Sequence, residues 1–317
     1  MAKQKQHGGP RSFKGALAAL VVFVALILIF LWRYSGLATV PAEAPAAQSA
    51  APTATPAPTA APTPRITPEP TPAPAVAAQG LGGEARQMLD DFLNAQPGSV
   101  SVWMQNLVTG ASYSYNPSAG FYCASTLKAP YALWLCQRDD AGEIDLDADV
   151  GGATGWQRIH AMLSKSSNGA AHALGAAYPG TVETGFSEFL RGLGFASPDG
   201  CDVTEEGIHG WVTAADGGKA MQAIYDYTQQ ETENAGALKA ALLAADHELL
   251  WAPAPAAKKY GSWDQVLHDM AIVYADEPYI LSVFTNWGSA DVDFPPEGVE
   301  MMQQLGHLAA QAMGADD

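Results

Sequence analysis

Residues 122–135 read Tyr122-Cys-Ala-Ser-Thr-Leu-Lys-Ala-Pro-Tyr-Ala-Leu-Trp-Leu135, which sets a hydroxyl three residues ahead of an amine where an apolar run begins. Spacing of i, i+3 on a helix brings two side chains onto one face. Ser125 and Lys128 are therefore expected side by side at a helix N-terminus. A serine hydroxyl is a weak nucleophile at neutral pH and needs a base within hydrogen-bond reach. A helix N-terminus and neighbouring cations disfavour the ammonium form, which suits a lysine to that role. The ordinary reading of the same residues is a helix start with a solvated lysine. This is the only Ser-x-x-Lys in the chain, and the choice between the readings rests on other stretches.

Two of these carry polar residues at turns. Ser164 to Leu174, SKSSNGAAHAL, is a polar turn running into a helix, with Ser166, Ser167 and Asn168 at the junction. A helix cap is the simple account of it. Lys258-Lys-Tyr-Gly261 heads a strand-like run, where a lysine pair commonly protects a sheet edge.

The surroundings place these stretches in a fold. Met88, Leu89, Phe92 and Leu93 recur at helical spacing within residues 83–96. Two strand-like runs follow around the turn signal Val108-Thr-Gly-Ala111, and a middle rich in Ala, Leu and Gly extends to about Lys239. Strand signals return after Lys258 in KKYGSW, DMAIVYAD and YILSVFTNW, and a last helix opens on Pro295-Pro296-Glu297. The expected fold class is α/β in the α+β sense: an antiparallel sheet flanked by the terminal helices, with an inserted all-helical lobe. The crevice between the lobes is the natural place for a site.

The N-terminal part of the 317-residue chain reads differently. Residues 1–14 form a basic tail with Lys3, Lys5, Arg11 and Lys14, expected in the cytoplasm. Residues 15–34 are a transmembrane anchor, with Trp32 and Tyr34 set for the interface; cleavage after the AEA at 42–44 is the alternative. Residues 35–81 are an Ala/Pro/Thr-rich linker holding half of the 22 prolines. Such a composition favours extended polyproline II and reaches on the order of 100 Å at about 3.1 Å per residue. The folded domain, residues 82–317, is thereby expected on the outer side of the membrane, at the cell surface or wall.

Charge excludes other classes. The net charge is −17, and only ten Lys or Arg lie beyond residue 82. This argues against nucleic acid or anionic lipid as a partner of the domain. No Cys-x-x-Cys, His-x-His or His-Glu-x-x-His occurs, so no metal and no cofactor is expected. Cys123, Cys136 and Cys201 leave at least one thiol unpaired in a monomer, the state expected here.

Ser-x-x-Lys, Ser-x-Asn and Lys-x-Gly in this order, at a helix start, a turn and a strand, resemble the pattern of serine β-lactamases and penicillin-binding proteins. The chain from about 83 to 314 is most similar to the class A β-lactamase-related serine hydrolases. The resemblance implies Ser125 as the acylated nucleophile, Lys128 as its base and Ser166 as the proton shuttle to the leaving nitrogen. It implies that Asn168 binds the substrate's side-chain amide and orients Lys128. Lys259 and Gly261 belong to the substrate-binding strand, and the N–H of Ser262 completes an oxyanion hole with that of Ser125. Lys128, Lys165, Lys258 and Lys259 would supply local cations for an anionic substrate in an acidic domain.

Besides Ser167, which stands where Asp is common, two positions depart from the pattern. Tyr260 stands where the family usually has Thr or Ser. The carboxylate that activates the deacylating water, a Glu in Glu-x-x-Leu-Asn, is matched only by Glu205 in Glu205-Glu-Gly-Ile-His209, with His in place of Asn. The expected activity is that of an anchored, extracytoplasmic serine hydrolase acting through an acyl-enzyme on β-lactams or related cell-wall peptide amides. A D-Ala-D-Ala carboxypeptidase of penicillin-binding type, or an inactive wall-peptide-binding module, is the alternative. The expected partners are a small-molecule or peptidoglycan-derived substrate and, through the N-terminal helix, the membrane.

Overall fold

A computed structural model describes residues 80–315. The basic tail, the proposed anchor and nearly all of the linker lie outside the described residues. Among the described residues no helix is long and apolar enough to cross a membrane.

Helix α1 (Gly83–Asn94) leads into strands β1 (Val100–Asn106) and β2 (Ser112–Tyr115). The hairpin between them is held by Asn106, whose Oδ1 accepts from the N–H groups of Val108 and Thr109 at 2.9 and 2.8 Å. Its side chain thus imitates a backbone turn. Near the C-terminus come β7 (Ala256–Trp263), β8 (Val266–Val273), β9 (Tyr279–Thr285) and helix α8 (Pro296–Ala312). These five strands form one antiparallel sheet in the order β2-β1-β9-β8-β7, so the two ends of the sequence meet where β1 pairs with β9. Pro296 opens α8 in its first turn, where a missing N–H costs nothing.

Both faces of the sheet are covered, and for this reason β9 is buried along its whole length. One face packs Val102, Met104, Leu281 and Val283 against Leu89 and Leu93 of α1 and Met301, Met302 and Leu305 of α8. The other face, through Met270, Ile272 and Phe284, joins the core of the helical lobe.

The lobe follows β2. Short β3 (Phe121–Tyr122) precedes α2 (Lys128–Asp140), α3 (Gly155–Ser164), α4 (Asn168–Ala177) and α5 (Phe186–Gly192). Then come β4 (Asp202–Val203), β5 (Ile208–His209), β6 (Trp211–Val212), α6 (Ala214–Thr228) and α7 (Glu233–Leu243). The expected α+β architecture with terminal helices on the sheet holds. The lobe is not all-helical, because β3 pairs with β6 and β4 with β5 as two small ribbons. Two-residue strands carry too few residues for a period-2 pattern to stand out in the sequence.

Helix α2 is the axis of the lobe. Its residues from Lys128 to Cys136 are all buried, so apart from Lys128 this stretch buries its whole circumference. All three cysteines are buried and free. Helix α6 joins lobe to sheet through adjacent glycines. A Cβ at Gly217 would lie 2.5 Å from Ser282 Oγ, and one at Gly218 would lie 2.1 Å from the Trp103 ring. Gly218→Ala should therefore destabilise the domain by about 1–3 kcal/mol through overpacking. Denaturant unfolding measures this, and an unchanged midpoint would show that helix and sheet separate without cost.

Candidate active site

The nucleophile turn is anchored on both sides. The Cys123 N–H donates to the Gly210 carbonyl at 3.0 Å, continuing the β3–β6 ribbon. Thr126 Oγ1 donates back to Cys123 O at 2.6 Å. Between them Ala124 holds φ at 45°, a left-handed conformation unfavourable for a residue with a Cβ. Ser125 lies in this tight turn, and α2 starts at Lys128, three residues later than a helix opening at the serine would place it. The turn preserves the expected juxtaposition: Lys128 Nζ is 3.0 Å from Ser125 Oγ. Pro130 falls within the first turn of α2, so its missing N–H breaks no helical bond.

The Lys128 side chain is fully buried, and its amine is held by fixed acceptors. Nζ donates to Ser166 O at 2.6 Å and to Asn168 Oδ1 at 2.8 Å, with Ser166 Oγ at 3.3 Å. An amine surrounded in this way has one direction left toward Ser125. Burial lowers its pKa from the ordinary 10.5 to about 8, with the nearby Cys123 opposing the shift slightly.

Ser166 and Asn168 reach Lys128 because of a second strained residue. Ser166 has φ at 50° in the link between α3 and α4. Ser167, not Ser166, caps α4, with its hydroxyl accepting from Ala170 N at 3.2 Å. Capping is therefore performed by the middle residue, and the residues on either side turn to the lysine.

Strand β7 is the free edge of the sheet. Lys259 is wholly buried, and its Nζ donates to Ser166 Oγ at 2.9 Å and to Tyr260 O at 2.8 Å. Burial, then the charge of Lys128, depress its pKa well below the ordinary lysine value. Gly261 lets this edge approach the nucleophile turn: a Cβ there would sit 2.9 Å from Ser125 N and 3.1 Å from Ala124 Cβ. Ser262 follows, half-buried, with its hydroxyl on Asp293 O. The structure thus brings together Ser125, Lys128, Ser166, Asn168, Lys259 and Gly261.

Two sets of residues are placed differently from the sequence reading. Among the lysines invoked for an anionic substrate, Lys165 is exposed at the end of α3, and Lys258 leaves β7 on the face opposite Lys259. Lys258 is buried, donates to Leu250 O at 2.7 Å and lies beside buried Asp269. It braces the loop before β7 and offers no charge to the crevice. Burial raises the Asp269 carboxyl to about 6, with Lys258 opposing the shift.

The second set concerns the acidic loop. Residues 204–207 form a tight hairpin turn between β4 and β5, with Thr204 N donating to Gly207 O at 2.9 Å. Gly175 of α4 packs directly beneath it; a Cβ there would meet Thr204 O at 2.4 Å. Glu205 is exposed and is not among the residues lining the cavity at Ser125. Its neighbour Glu206 is. That cavity, about 290 Å³, is walled by Tyr122, Ser125, Asn168, His172, Glu206 and Trp263, among others. The sequence reading did not single out Tyr122, His172, Glu206 or Trp263 as site residues, since none belongs to a spaced motif.

His268 was also missed. It is buried in β8, and its Nε2 lies 2.9 Å from Tyr122 O while Nδ1 accepts from Thr285 N at 3.1 Å. Burial lowers its pKa to about 4, so the neutral ring donates through Nε2 and ties the strand ahead of Ser125 to the sheet.

Many solved structures share the fold. A PBP-A variant seen as an acyl-enzyme with penicillin G has 18% identity and a TM-score of 0.61, over 75% of this chain and 98% of its own. A β-lactamase from Streptosporangium roseum has 18% identity and a TM-score of 0.58, over 74% of this chain and 100% of its own. An ancestral class A β-lactamase has 18% identity and a TM-score of 0.58, over 72% and 99%. No curated protein matches the sequence. The model of the β-lactamase enzyme family matches residues 84–313, a span that contains every residue of the cluster around Lys128. The chain is a serine hydrolase that belongs to the β-lactamase enzyme family.

Proposed function

We propose that this chain hydrolyses a β-lactam or a related cell-wall peptide amide through an acyl-enzyme on Ser125, outside the cytoplasm and tethered by residues 15–34. The observation that carries the reading is the Lys128 amine, 3.0 Å from Ser125 Oγ and held by two other acceptors. The acyl-enzyme described for the PBP-A variant supports the same class of intermediate.

With its two N–H groups on Ser166 O and Asn168 Oδ1, neutral Lys128 presents a lone pair to the serine. It takes the Ser125 proton as Oγ bonds to the acyl carbon. The N–H groups of Ser125 and Ser262 receive the developing oxyanion. Ser166 Oγ hands its proton to the leaving nitrogen as the C–N bond breaks, and Lys128 restores the proton. Lys259, 2.9 Å from Ser166 Oγ, fixes that hydroxyl. Hydrolysis then needs a water activated by a carboxylate, and Glu206 is the acid on the cavity wall.

Acylation should rise with pH and level off above about 8, because the neutral amine is the active form and Lys128 is shifted down to about 8. At two pH units below the midpoint the rate should be about 100-fold lower. Lys128→Ala should abolish acylation. Rapid-mixing acylation measured across pH checks both, and a flat profile would remove Lys128 as the base.

Intact-mass analysis with a fluorophosphonate and with benzylpenicillin tests the nucleophile. The fluorophosphonate adduct should map to Ser125 and vanish in Ser125→Ala; no adduct in the parent chain would overturn the hydrolase reading. Where an acyl adduct forms, Glu206→Gln should prolong it by about tenfold or more, with Glu205→Gln close to the parent. The reverse order would return the role to Glu205.

A further inference from the structure

The cavity at Ser125 adjoins a second one. Tyr122 and Trp263 wall both, and Trp211, Asp264, Gln265 and Val266 complete the second, of about 240 Å³. The walls at Ser125 include Asn168 and not Ser166, so this cavity receives the acyl portion of a substrate and not its leaving nitrogen. A ring borne at the far end of that acyl portion passes over Tyr122 and Trp263 into the second cavity.

The second cavity is held by fixed backbone. Trp211 stands opposite Tyr122 in the β3–β6 ribbon, so the two side chains leave one face as neighbours. The Tyr122 hydroxyl donates to Ile208 O at 2.8 Å, and its carbonyl lies 2.9 Å from His268 Nε2. Trp263 ends β7 opposite Val266, and Asp264, with φ at 48°, turns the chain into β8. On this rigid support Trp211 and Trp263 are 63% and 64% exposed. Paired indoles left in water beside a reactive serine mark a surface that a ligand covers.

The walls select that ligand. Two indoles and a phenol offer flat apolar surface, and Asp264 and Gln265, both exposed, offer a carboxylate and a carboxamide at the rim. An aryl group would match the rings and leave both rim groups without partners. A cation over rings this exposed stays hydrated, and the attraction is then weak. An anionic ring meets the Asp264 carboxylate. An uncharged pyranose fits every wall: its C–H face covers an indole, and its hydroxyl and acylamino groups bond to Asp264 and Gln265.

Resting on the serine-hydrolase reading for its link to catalysis, we infer that Tyr122, Trp211 and Trp263 form a sugar subsite. It takes an uncharged pyranose carried on the acyl side of a cell-wall glycopeptide, and it binds that ring away from the bond that breaks.

Saturation-transfer NMR on the full chain tests this with N-acetylchitotriose, and with phenylacetamide and choline as the aryl and cationic probes. The saccharide should bind saturably and more tightly than either other probe. Trp211→Ala should weaken it about tenfold or more, Gln265→Ala about threefold or more, and Trp211→Phe should keep most of the affinity. Fluorophosphonate labelling of Ser125 reports folding, and its rate in Trp211→Ala should match the parent, because Trp211 lies outside the Ser125 cavity. Absent saccharide binding, tighter binding of phenylacetamide or choline, or undiminished saccharide affinity in a labelled Trp211→Ala or Gln265→Ala overturns this inference and leaves the hydrolase reading standing. Saccharide binding that depends on Trp211, in a parent chain that the fluorophosphonate does not label, overturns the hydrolase reading and leaves the sugar subsite standing.

Discussion

A lysine amine kept out of water is the condition on which the site depends. Moving an ammonium from water into a protein interior is costly, and the group answers by losing its proton or by gathering acceptors. Lys128 does both. It is fully buried on the axial helix of the lobe, its pKa falls to about 8, and Ser166 O and Asn168 Oδ1 receive its N–H groups. Without those acceptors, the buried amine would be an unsatisfied donor in the core. Without the burial, it would be a fully charged lysine with no lone pair for the serine. Stability of the core and chemistry at Ser125 thus make the same demand on one side chain.

Satisfying that demand requires backbone conformations that the sequence does not favour. Ala124 and Ser166, both with a Cβ, hold φ near +50°, and they flank the amine from two different segments. Each such residue costs on the order of 1–3 kcal/mol. The surrounding bonds over-determine both turns: the Cys123 N–H on Gly210 O, Thr126 Oγ1 on Cys123 O, and the cap made by Ser167. The third contributor, Gly261, adds no strain but leaves room, because any side chain there would collide with Ser125 N. Strand, turn and helix end are consequently held at one point although they lie 38 to 136 residues apart in sequence.

What could be read from the sequence follows from this physics. Residues with local spacing were legible: Ser125 and Lys128 sit three apart, and the Ser166–Asn168 link and the Lys259–Gly261 strand each form a compact motif. The order of periodic segments, a helix and two strands at one end and three strands and a helix at the other, also made the sheet with terminal helices legible. Residues whose role depends on which way a chain faces were not. Lys258 and Lys259 look equivalent in sequence, yet strand alternation sends one to the Asp269 side and the other to Ser166. Glu205 and Glu206 are adjacent, and only the hairpin turn at 204–207 decides which reaches the cavity. His268 reads as an ordinary strand residue until its two nitrogens are seen to bridge Tyr122 and Thr285. The short ribbons β3–β6 and β4–β5 had no detectable period, and they are the elements that set the nucleophile turn and the acidic hairpin.

The charge of the whole chain bears on which substrates approach the site. A net charge of −17 gives an extended negative potential that slows the approach of anions and concentrates cations near the surface, over roughly a Debye length of about 8 Å at physiological salt. An anionic substrate works against such a field unless the site supplies a compensating cation or oriented N–H groups. Here Lys128, Lys258 and Lys259 are all buried, with Lys258 committed to a loop carbonyl and Lys259 to Ser166 and Tyr260. Lys165 is exposed, but none of the cavity walls includes it. A positive field at the cavity would therefore come from buried amines close to Ser166 and not from an exposed side chain.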